Sequence, residues 1–209
     1  MNLYFSPLAC SLATRISLYE AGADAEYTRV DTRAKRLADG SDFRKINPMG
    51  QVPVLATDEG ALLTENPAVL QYVAGRFPQL APAAGIERSR LQQWLSFIGT
   101  ELHKAVFVPL LDANAPDAVK TYARDKVALR LGILQEHLAS REFLLDRFTI
   151  ADAYLVTVLN WAGVTGVDLA QWPAVRDYHQ RLQKRPSVAK ALGEEFAMYQ
   201  EQQRRAPKS

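Results

Sequence analysis

Residues 2–22, NLYFSPLACSLATRISLYEAG, decide the fold of the first part of this chain. Residues 2–5 alternate polar and apolar side chains, a pattern that is typical of a short strand. Residues 6–9 contain a proline and break that pattern, and residues 11–22 then have the composition of a helix closed by glycine. The sequence therefore predicts a strand, a tight loop and a helix, with Cys10 at the junction of loop and helix.

Cys10 is the only cysteine in the sequence. At a strand-to-helix junction its thiol would face the positive end of the helix dipole and backbone N–H groups without partners. Both favour a thiolate, on Cys10 itself or on a ligand bound beside it. The alternative is a small buried hydrophobic side chain, which is the common role of a cysteine outside a disulfide. One cysteine excludes an intrachain disulfide and suits a reducing compartment, so we expect a cytoplasmic protein.

Composition and charge exclude several classes of protein. The 209 residues allow one large domain or two small ones, and an apolar content of 48% with a charged content of 23% is ordinary for a soluble globular protein. A net charge of +2 is too small to indicate binding of nucleic acid. The longest uncharged run, residues 153–167, is too short to span a bilayer. We therefore expect neither a nucleic-acid partner nor a membrane partner.

The chain divides into two parts of different pattern. Residues 1–78 mix strand and helix signals in the order βαβ and then ββα, which predicts an α/β domain. Residues 79–86 lack periodicity and are rich in proline, alanine and glycine, so we interpret them as a linker. Residues 87–209 carry helical stripes, with a capping box at Thr149 and Asp152, and predict an all-helical domain whose last ten residues, 200–209, are frayed.

The segment 47–54, NPMGQVPV, is a second candidate for function. A proline directly before a strand favours an edge or a turn, and X-Pro bonds adopt cis at low cost. A cis Val52–Pro53 bond would turn the backbone of Val52 outward, where an extended peptide could pair with it as an added strand. A plain proline bend at the start of a strand is the alternative interpretation.

Residues 65–67, Glu-Asn-Pro, begin the next predicted helix, with Asn66 as its N-cap and Pro67 at its first position. The N–H groups at such a helix start bind a carboxylate, and the Glu65 side chain can accept a hydrogen bond from an ammonium group. Together they would match the α-amino acid head of a ligand. Ordinary helix capping is the alternative interpretation and, for these residues taken alone, the favoured one.

Five motifs, in order and in register, make the chain resemble bacterial glutathione transferases of the cysteine-type beta class over essentially its whole length. The motifs are ACSLATRISLYEAG around Cys10, INPMGQVPVL around Pro53, LLTENPAVLQYVA around Glu65, TELHK at residues 100–104 and FTIADAYLVTVLNWA from Phe148. The resemblance implies a thioredoxin-like α/β N-terminal domain followed by an all-α C-terminal domain, with glutathione held between them. It also implies a homodimer and a role in detoxification.

The resemblance assigns roles to individual residues. It implies that Cys10 lies next to the glutathione sulfur, with Ser11 and His103 as further catalytic candidates. Val52, before a cis Pro53, is implied to pair its backbone with the cysteinyl unit of glutathione. The implied glutathione-binding residues are Cys10, Lys35, Gln51, Val52, Pro53, Glu65, Asn66, Ser96, Thr100, His103 and Lys104. Of these, Glu65 and Asn66 hold the γ-glutamyl head and Lys35 reaches the glycyl end.

The helical periodicity of residues 96–107 places Ser96, Gly99, Thr100, His103 and Phe107 on one face, off the core stripe, where they could line a cleft.

Three positions depart from the family's usual pattern. Leu8 stands where glycine is usual, which predicts a stiffer or more closed loop before Cys10. Asn66 replaces serine or glycine, and Ser96 replaces asparagine.

We therefore expect an enzyme that activates the glutathione thiol and conjugates it to small hydrophobic electrophiles, with no metal and no nucleotide. One rival is a glutathione-dependent reductase or thiol–disulfide exchanger that acts through a mixed disulfide on Cys10. Such chemistry would be monothiol, because the sequence has no CxxC partner. The other rival is a non-catalytic protein of the same fold that binds hydrophobic ligands. The sequence does not identify the electrophile.

Overall fold

The computed structural model describes residues 1–205 of the chain. It forms two compact units, one made of Met1–Phe77 with the described residues from Pro186 onward, and one made of Pro78–Arg185. The sequence-based division placed all of residues 87–209 in one helical domain, whereas the last helix packs within the first unit. An amphipathic stripe shows that a helix will be covered but does not show by what, so this placement depends on the tertiary structure.

The elements are short and follow one another closely. The strands are β1 (Asn2–Phe5), β2 (Glu26–Asp31), β3 (Arg36–Leu37), β4 (Val54–Ala56) and β5 (Leu62–Leu63). The helices are α1 (Leu12–Ala21), α2 (Asn66–Arg76), α3 (Gly85–Phe97), α4 (Val108–Leu111), α5 (Asp117–Asp125), α6 (Val127–Leu138), α7 (Ile150–Leu159), α8 (Ala162–Thr165), α9 (Pro173–Gln183) and α10 (Pro186–Arg205). A π-helical segment, Ile98–Phe107, lies between α3 and α4.

The first unit is built on a mixed sheet with the strand order β3-β2-β1-β4-β5. The central strand β1 runs parallel to β2 and antiparallel to β4. A parallel pair needs a crossover, which α1 supplies. β1 therefore ends at the middle of the sheet edge, and the loop that follows it carries Cys10 to the start of α1.

The two faces of β1 are both covered. Leu3 and Phe5 are buried, and the Phe5 ring lies 4.7 Å from the guanidinium carbon of Arg15 on α1. Tyr4 points to the other face, as alternation along a strand requires, where its ring lies 5.7 Å from that of buried Phe43. This arrangement agrees with the α/β, thioredoxin-like domain that the sequence predicts.

Helix α1 is the most deeply buried element of the first unit, because residues 12–18 are all buried. An isolated surface helix buries only one stripe, but α1 packs against α2 and α10 as well as the sheet. α10 continues to Arg205, so the predicted fraying is wrong for residues 200–205. The remainder of that prediction, residues 206–209, lies outside the described residues.

The second unit is helical and centres on α7, whose ten residues are all buried. The predicted capping box at the start of α7 is confirmed. Thr149 accepts a hydrogen bond from the Ala151 amide, and the Asp152 carboxylate accepts one from the Thr149 amide at 2.9 Å. Asp152 also accepts hydrogen bonds from the Leu144 amide and the Tyr178 hydroxyl, so one buried carboxylate joins three segments. Within residues 1–205, every helix is too short or too polar to cross a membrane.

Candidate active site

The loop before α1 has a conformation that places Cys10 at the head of the helix. Leu8 adopts a φ of +60°, in the left-handed region that favours glycine, and Cys10 is half-buried. The Ser11 hydroxyl is fully buried and exchanges hydrogen bonds of 3.3 Å with the backbone N–H and carbonyl of Ser6. These bonds close the loop, so the geometry favours a structural role for the Ser11 side chain.

The backbone N–H groups at the start of α1 are already used. The Leu12 amide donates to the Ala9 carbonyl at 3.0 Å, and the Ala13 amide donates to the Cys10 carbonyl at 3.2 Å. The expectation that the Cys10 thiol faces unpartnered N–H groups is therefore wrong for these two residues. The aligned peptide dipoles of α1 remain as the source of positive potential at this position.

The predicted Val52–Pro53 bond is cis in the structure. The Cys10 Sγ–H donates to the Val52 carbonyl at a distance of 3.3 Å, so the loop before α1 and the segment before β4 meet at the thiol. The side chain of Asn47 shapes that segment. Its Nδ2 donates to the Gln51 carbonyl at 2.7 Å, and its Oδ1 accepts from the Met49 amide at 3.2 Å.

Lys35 lies beside the same segment. Its ammonium group donates to the Gly50 carbonyl at 2.9 Å, and its methylene chain passes so close to Gly50 that an added Cβ there would lie 2.7 Å from Lys35 Cδ. Gly50 has a φ of +60°, so both its backbone conformation and its neighbour require glycine. Lys35 therefore lies beside Gly50, the residue before Gln51.

The start of α2 differs by one residue from the prediction. Glu65, rather than Asn66, is the N-cap, and its carbonyl accepts from the Ala68 and Val69 amides. Glu65 has a φ of +61°, which is unfavourable for a residue with a side chain, and its carboxylate is exposed. Strained backbone of this kind occurs mostly at ligand-binding positions.

Asn66 is buried and faces α1, where its Oδ1 accepts from the Thr14 hydroxyl at 3.5 Å. Its Nδ2 is also buried, and among the described residues no atom accepts a hydrogen bond from it. A buried amide donor without a partner costs free energy, so its retention points to a ligand or a water that accepts from it. α2 therefore begins next to the first turn of α1, close to Cys10 in the fold.

His103 lies in the second unit and is buried. Its Nδ1 is 2.7 Å from the Tyr154 hydroxyl, and its ring lies 5.0 Å from that of Trp161. Burial, with a smaller effect of the Lys104 ammonium group, lowers the pKa of His103 to about 4. The imidazole is therefore neutral near pH 7.

The prediction that His103 and Phe107 lie off the core stripe is wrong, since both are buried. Residues 98–107 are π-helical, and the wider turn of a π-helix rotates later side chains relative to an α-helix. The exposed line along this segment is instead formed by Ser96, Thr100 and Lys104. Thr100 donates from its hydroxyl to the Ser96 carbonyl at 3.0 Å.

The predicted residues thus fall into two sets, one in each unit. The first unit carries Cys10, Ser11, Lys35, Gln51, Val52, Pro53, Glu65 and Asn66, and the second unit carries Ser96, Thr100, His103 and Lys104. The described residues include no group of three or more His, Cys, Asp or Glu side chains that could hold a metal ion. Sequence reasoning missed Asn47, because it interpreted the segment 47–54 only through the Val52–Pro53 bond.

Comparisons with known proteins match both parts of the chain. A family model described as "Glutathione S-transferase, N-terminal domain" matches residues 2–75, and one described as "Glutathione S-transferase, C-terminal domain" matches residues 100–186. The chain is 42% identical over 199 residues to glutathione S-transferase GstA of Escherichia coli O157:H7, which covers 93% of this chain and 98% of that protein.

Two solved structures share this fold closely. A sphingomonad glutathione S-transferase complexed with glutathione is 43% identical, with a TM-score of 0.89. A bacterial beta-class glutathione S-transferase from Sphingomonas chungbukensis is 42% identical, with a TM-score of 0.88. In each case 93% of this chain and 98% of the other chain are covered.

Proposed function

Because this chain belongs to the glutathione S-transferase family, and to its bacterial beta class, we propose that it activates the thiol of glutathione and transfers it to small hydrophobic electrophiles. The observation that carries the proposal is the hydrogen bond from Cys10 Sγ to the Val52 carbonyl. It brings a thiol at the head of α1 to the segment with which the cysteinyl unit of glutathione would pair. The bound glutathione of the sphingomonad relative supports this choice of ligand.

The reaction requires a thiolate. A thiol with a pKa of about 8.5 is only a few per cent ionised at neutral pH, and each unit by which a site lowers that pKa corresponds to about 1.4 kcal/mol. We place the glutathione sulfur beside Cys10, where the dipole of α1 stabilises negative charge. The thiol proton passes to solvent, the thiolate forms a bond to the electrophilic carbon, and the leaving group departs with its electron pair.

The start of α2 would hold the γ-glutamyl head. The exposed Glu65 carboxylate would accept a hydrogen bond from the α-ammonium group of the γ-glutamyl head. The α-carboxylate of that head would lie at the N-terminus of α2. Asn66 Nδ2, a buried donor, would supply a further hydrogen bond to the same carboxylate. Lys35, already beside the Gln51–Pro53 segment, would pair with the glycyl carboxylate.

The second unit carries two kinds of candidate residue. Ser96, Thr100 and Lys104 form an exposed polar line that can contact a ligand directly. His103 would act as a neutral imidazole, because its pKa is about 4. Its part would be to donate or accept a hydrogen bond rather than to supply a positive charge.

An ultraviolet difference titration of bound glutathione tests the proposal. A thiol pKa of the complex clearly below that of glutathione in solution is expected, because the helix dipole favours the thiolate. The titration is repeated with Cys10→Ser, so that the signal of the protein thiol is separated from that of the ligand. Saturable binding with an unshifted thiol pKa would refute activation, and an absence of binding would refute the ligand assignment.

Thiol–disulfide exchange through Cys10 is a second candidate, favoured by the half-buried position of the thiol at a helix start. The Cys10 thiolate would attack a disulfide sulfur, forming a mixed disulfide and releasing the other thiolate, and a second glutathione would resolve it. If Cys10→Ser still conjugates glutathione but no longer reduces disulfides, the Cys10 side chain is required only for the exchange reaction.

We also propose a cytoplasmic homodimer with a role in detoxification, and light scattering of the purified protein tests the dimer.

A further inference from the structure

The loop that carries Cys10 is tied to the far end of the chain. The Leu8 amide donates to Glu195 Oε2 on α10 at a distance of 2.7 Å, across 187 positions of sequence. Glu195 has no exposed surface. Leu8 is the residue of this loop with a positive φ, and a leucine keeps that conformation only where its surroundings hold it.

The Glu195 carboxylate lies next to a buried arginine, Arg15. Its Oε1 is 3.5 Å from Nη1 of Arg15, a buried cation whose guanidinium group lies 4.5 Å from the centre of the Tyr27 ring. Arg15 also donates to the Tyr19 hydroxyl, and it pairs with Glu194, the neighbour of Glu195 on α10. The position of the carboxylate is thus fixed from α1 and from α10 itself.

We propose that Glu195 is a positioning residue for the reaction, which holds the Leu8 amide and so fixes the loop that places Cys10 against Val52 and the glutathione sulfur. The loop turns between Leu8 and the first residue of α1, and Cys10 lies within that turn. Without the carboxylate, the Leu8 amide loses its hydrogen bond to Glu195 and the leucine can leave the left-handed region. Only the kinetic part of this proposal rests on the proposed function.

The hydrogen bond from the Leu8 amide can be tested separately from the charge of Glu195. Burial raises the pKa of Glu195 to about 7, although the Leu8 amide and Arg15 act to lower it. A glutamine at this position keeps an oxygen that accepts from the Leu8 amide but cannot titrate. Glu195→Gln therefore separates the hydrogen bond from the charge.

The experiment measures the alkylation rate of Cys10 by iodoacetamide in the wild type, Glu195→Ala, Glu195→Gln and Ser187→Ala. Ser187→Ala is the matched control, because Ser187 donates to Glu20 at 2.6 Å and so joins α10 to α1 away from the loop. We expect Glu195→Ala to be alkylated about tenfold faster than the control, since the loop opens locally. Glu195→Gln should stay within about threefold of the wild type.

The kinetic readout uses glutathione with 1-chloro-2,4-dinitrobenzene. Glu195→Ala should raise the KM for glutathione about tenfold and change kcat by less than about threefold, because a misplaced loop weakens binding of the thiol. Equal alkylation rates in Glu195→Ala and Ser187→Ala would overturn the proposal. So would a folded Glu195→Gln that behaves like Glu195→Ala, because the charge rather than the hydrogen bond would then matter.

Hydrogen exchange in the wild type keeps the proposal testable if Glu195→Ala does not fold. The Leu8 amide should exchange as slowly as the amides of α10, because its exchange requires that helix to move away. Exchange of the Leu8 amide at the rate of an unstructured peptide would overturn the assignment. A wild type that is protected at Leu8 but conjugates nothing would refute the proposed function and leave the role of Glu195 in the loop intact.

Discussion

Gly50 provides a sharp test of how the Lys35 side chain is placed. In Gly50→Ala the new methyl group would lie 2.7 Å from Lys35 Cδ and 3.3 Å from Lys35 Cε, so the lysine must move. A displaced Lys35 loses its hydrogen bond to the Gly50 carbonyl, now 2.9 Å long. The matched control is Gly60→Ala, because Gly60 has a φ of +83° and no atom of the described residues lies within 4 Å of a Cβ added there.

The magnitude follows from two contributions. A side chain at positive φ costs about 1–2 kcal/mol, of which about 0.4–1 kcal/mol is recovered because alanine restricts the unfolded chain. Gly60→Ala should therefore cost about 1 kcal/mol in free energy of unfolding. Gly50→Ala loses in addition a hydrogen bond from a charged donor, half-buried here, so we expect a further cost of about 1 kcal/mol.

The assay is urea unfolding of five proteins: wild type, Gly50→Ala, Gly60→Ala, Lys35→Ala and the double variant Gly50→Ala/Lys35→Ala. If the clash causes the extra cost, Lys35→Ala should remove about 1 kcal/mol of it in the double variant, as a coupling free energy. The KM for glutathione should rise several-fold in Gly50→Ala and stay near the wild-type value in Gly60→Ala. Equal destabilisation by the two alanine variants, with no coupling to Lys35, would refute the reasoning.

Three further predictions concern buried polar groups. His103 is protonated near its ordinary pKa in the unfolded chain, whereas in the folded protein its pKa is about 4. Between pH 7 and about 4.5 the wild type should therefore lose about 2 kcal/mol more free energy of unfolding than His103→Asn, and equal losses in urea unfolding would contradict this. Asp152→Ala should lower stability by about 3 kcal/mol or more in a thermal melt, because three segments lose a buried acceptor. Asp168 is exposed and caps one short helix, so the control Asp168→Ala should cost only about 1 kcal/mol. Asn66→Ala should raise the KM for glutathione about tenfold, and unchanged binding would argue against a contact from Asn66. Its cost in stability should stay near about 1 kcal/mol, because losing the 3.5 Å hydrogen bond from Thr14 is partly offset by removing a buried donor that has no acceptor among the described residues.

Local features of this protein were predictable because their causes are local. The alternation of residues 2–5, the glycine that closes α1 and the capping box at Thr149 each depend on side chains within a few positions of one another. The cis Val52–Pro53 bond also has a local cause, because only a bond before proline adopts cis at low cost. The five motifs added what no single motif could, namely the order in which these pieces recur in one family.

The errors share a different origin. Periodicity of an ordinary α-helix placed His103 and Phe107 away from the core, but the π-helical segment turns them into it. The N–H groups at the start of α1 were expected to lack partners, yet the turn at Ala9 and Cys10 supplies carbonyls to them. In both cases a small change of backbone geometry altered which groups face each other, and this change could not be predicted from composition.

The sequence by itself determined the kinds of element, the position of the thiol at a helix start and the family to which the chain is similar. Only the tertiary structure decided which distant residues meet there: Lys35 on Gly50, and Glu195 on the Leu8 amide. The physical reason is that secondary structure is encoded by short-range periodicity and capping, whereas contacts between elements depend on how their buried faces fit together. The environment of Cys10 belongs to the second kind.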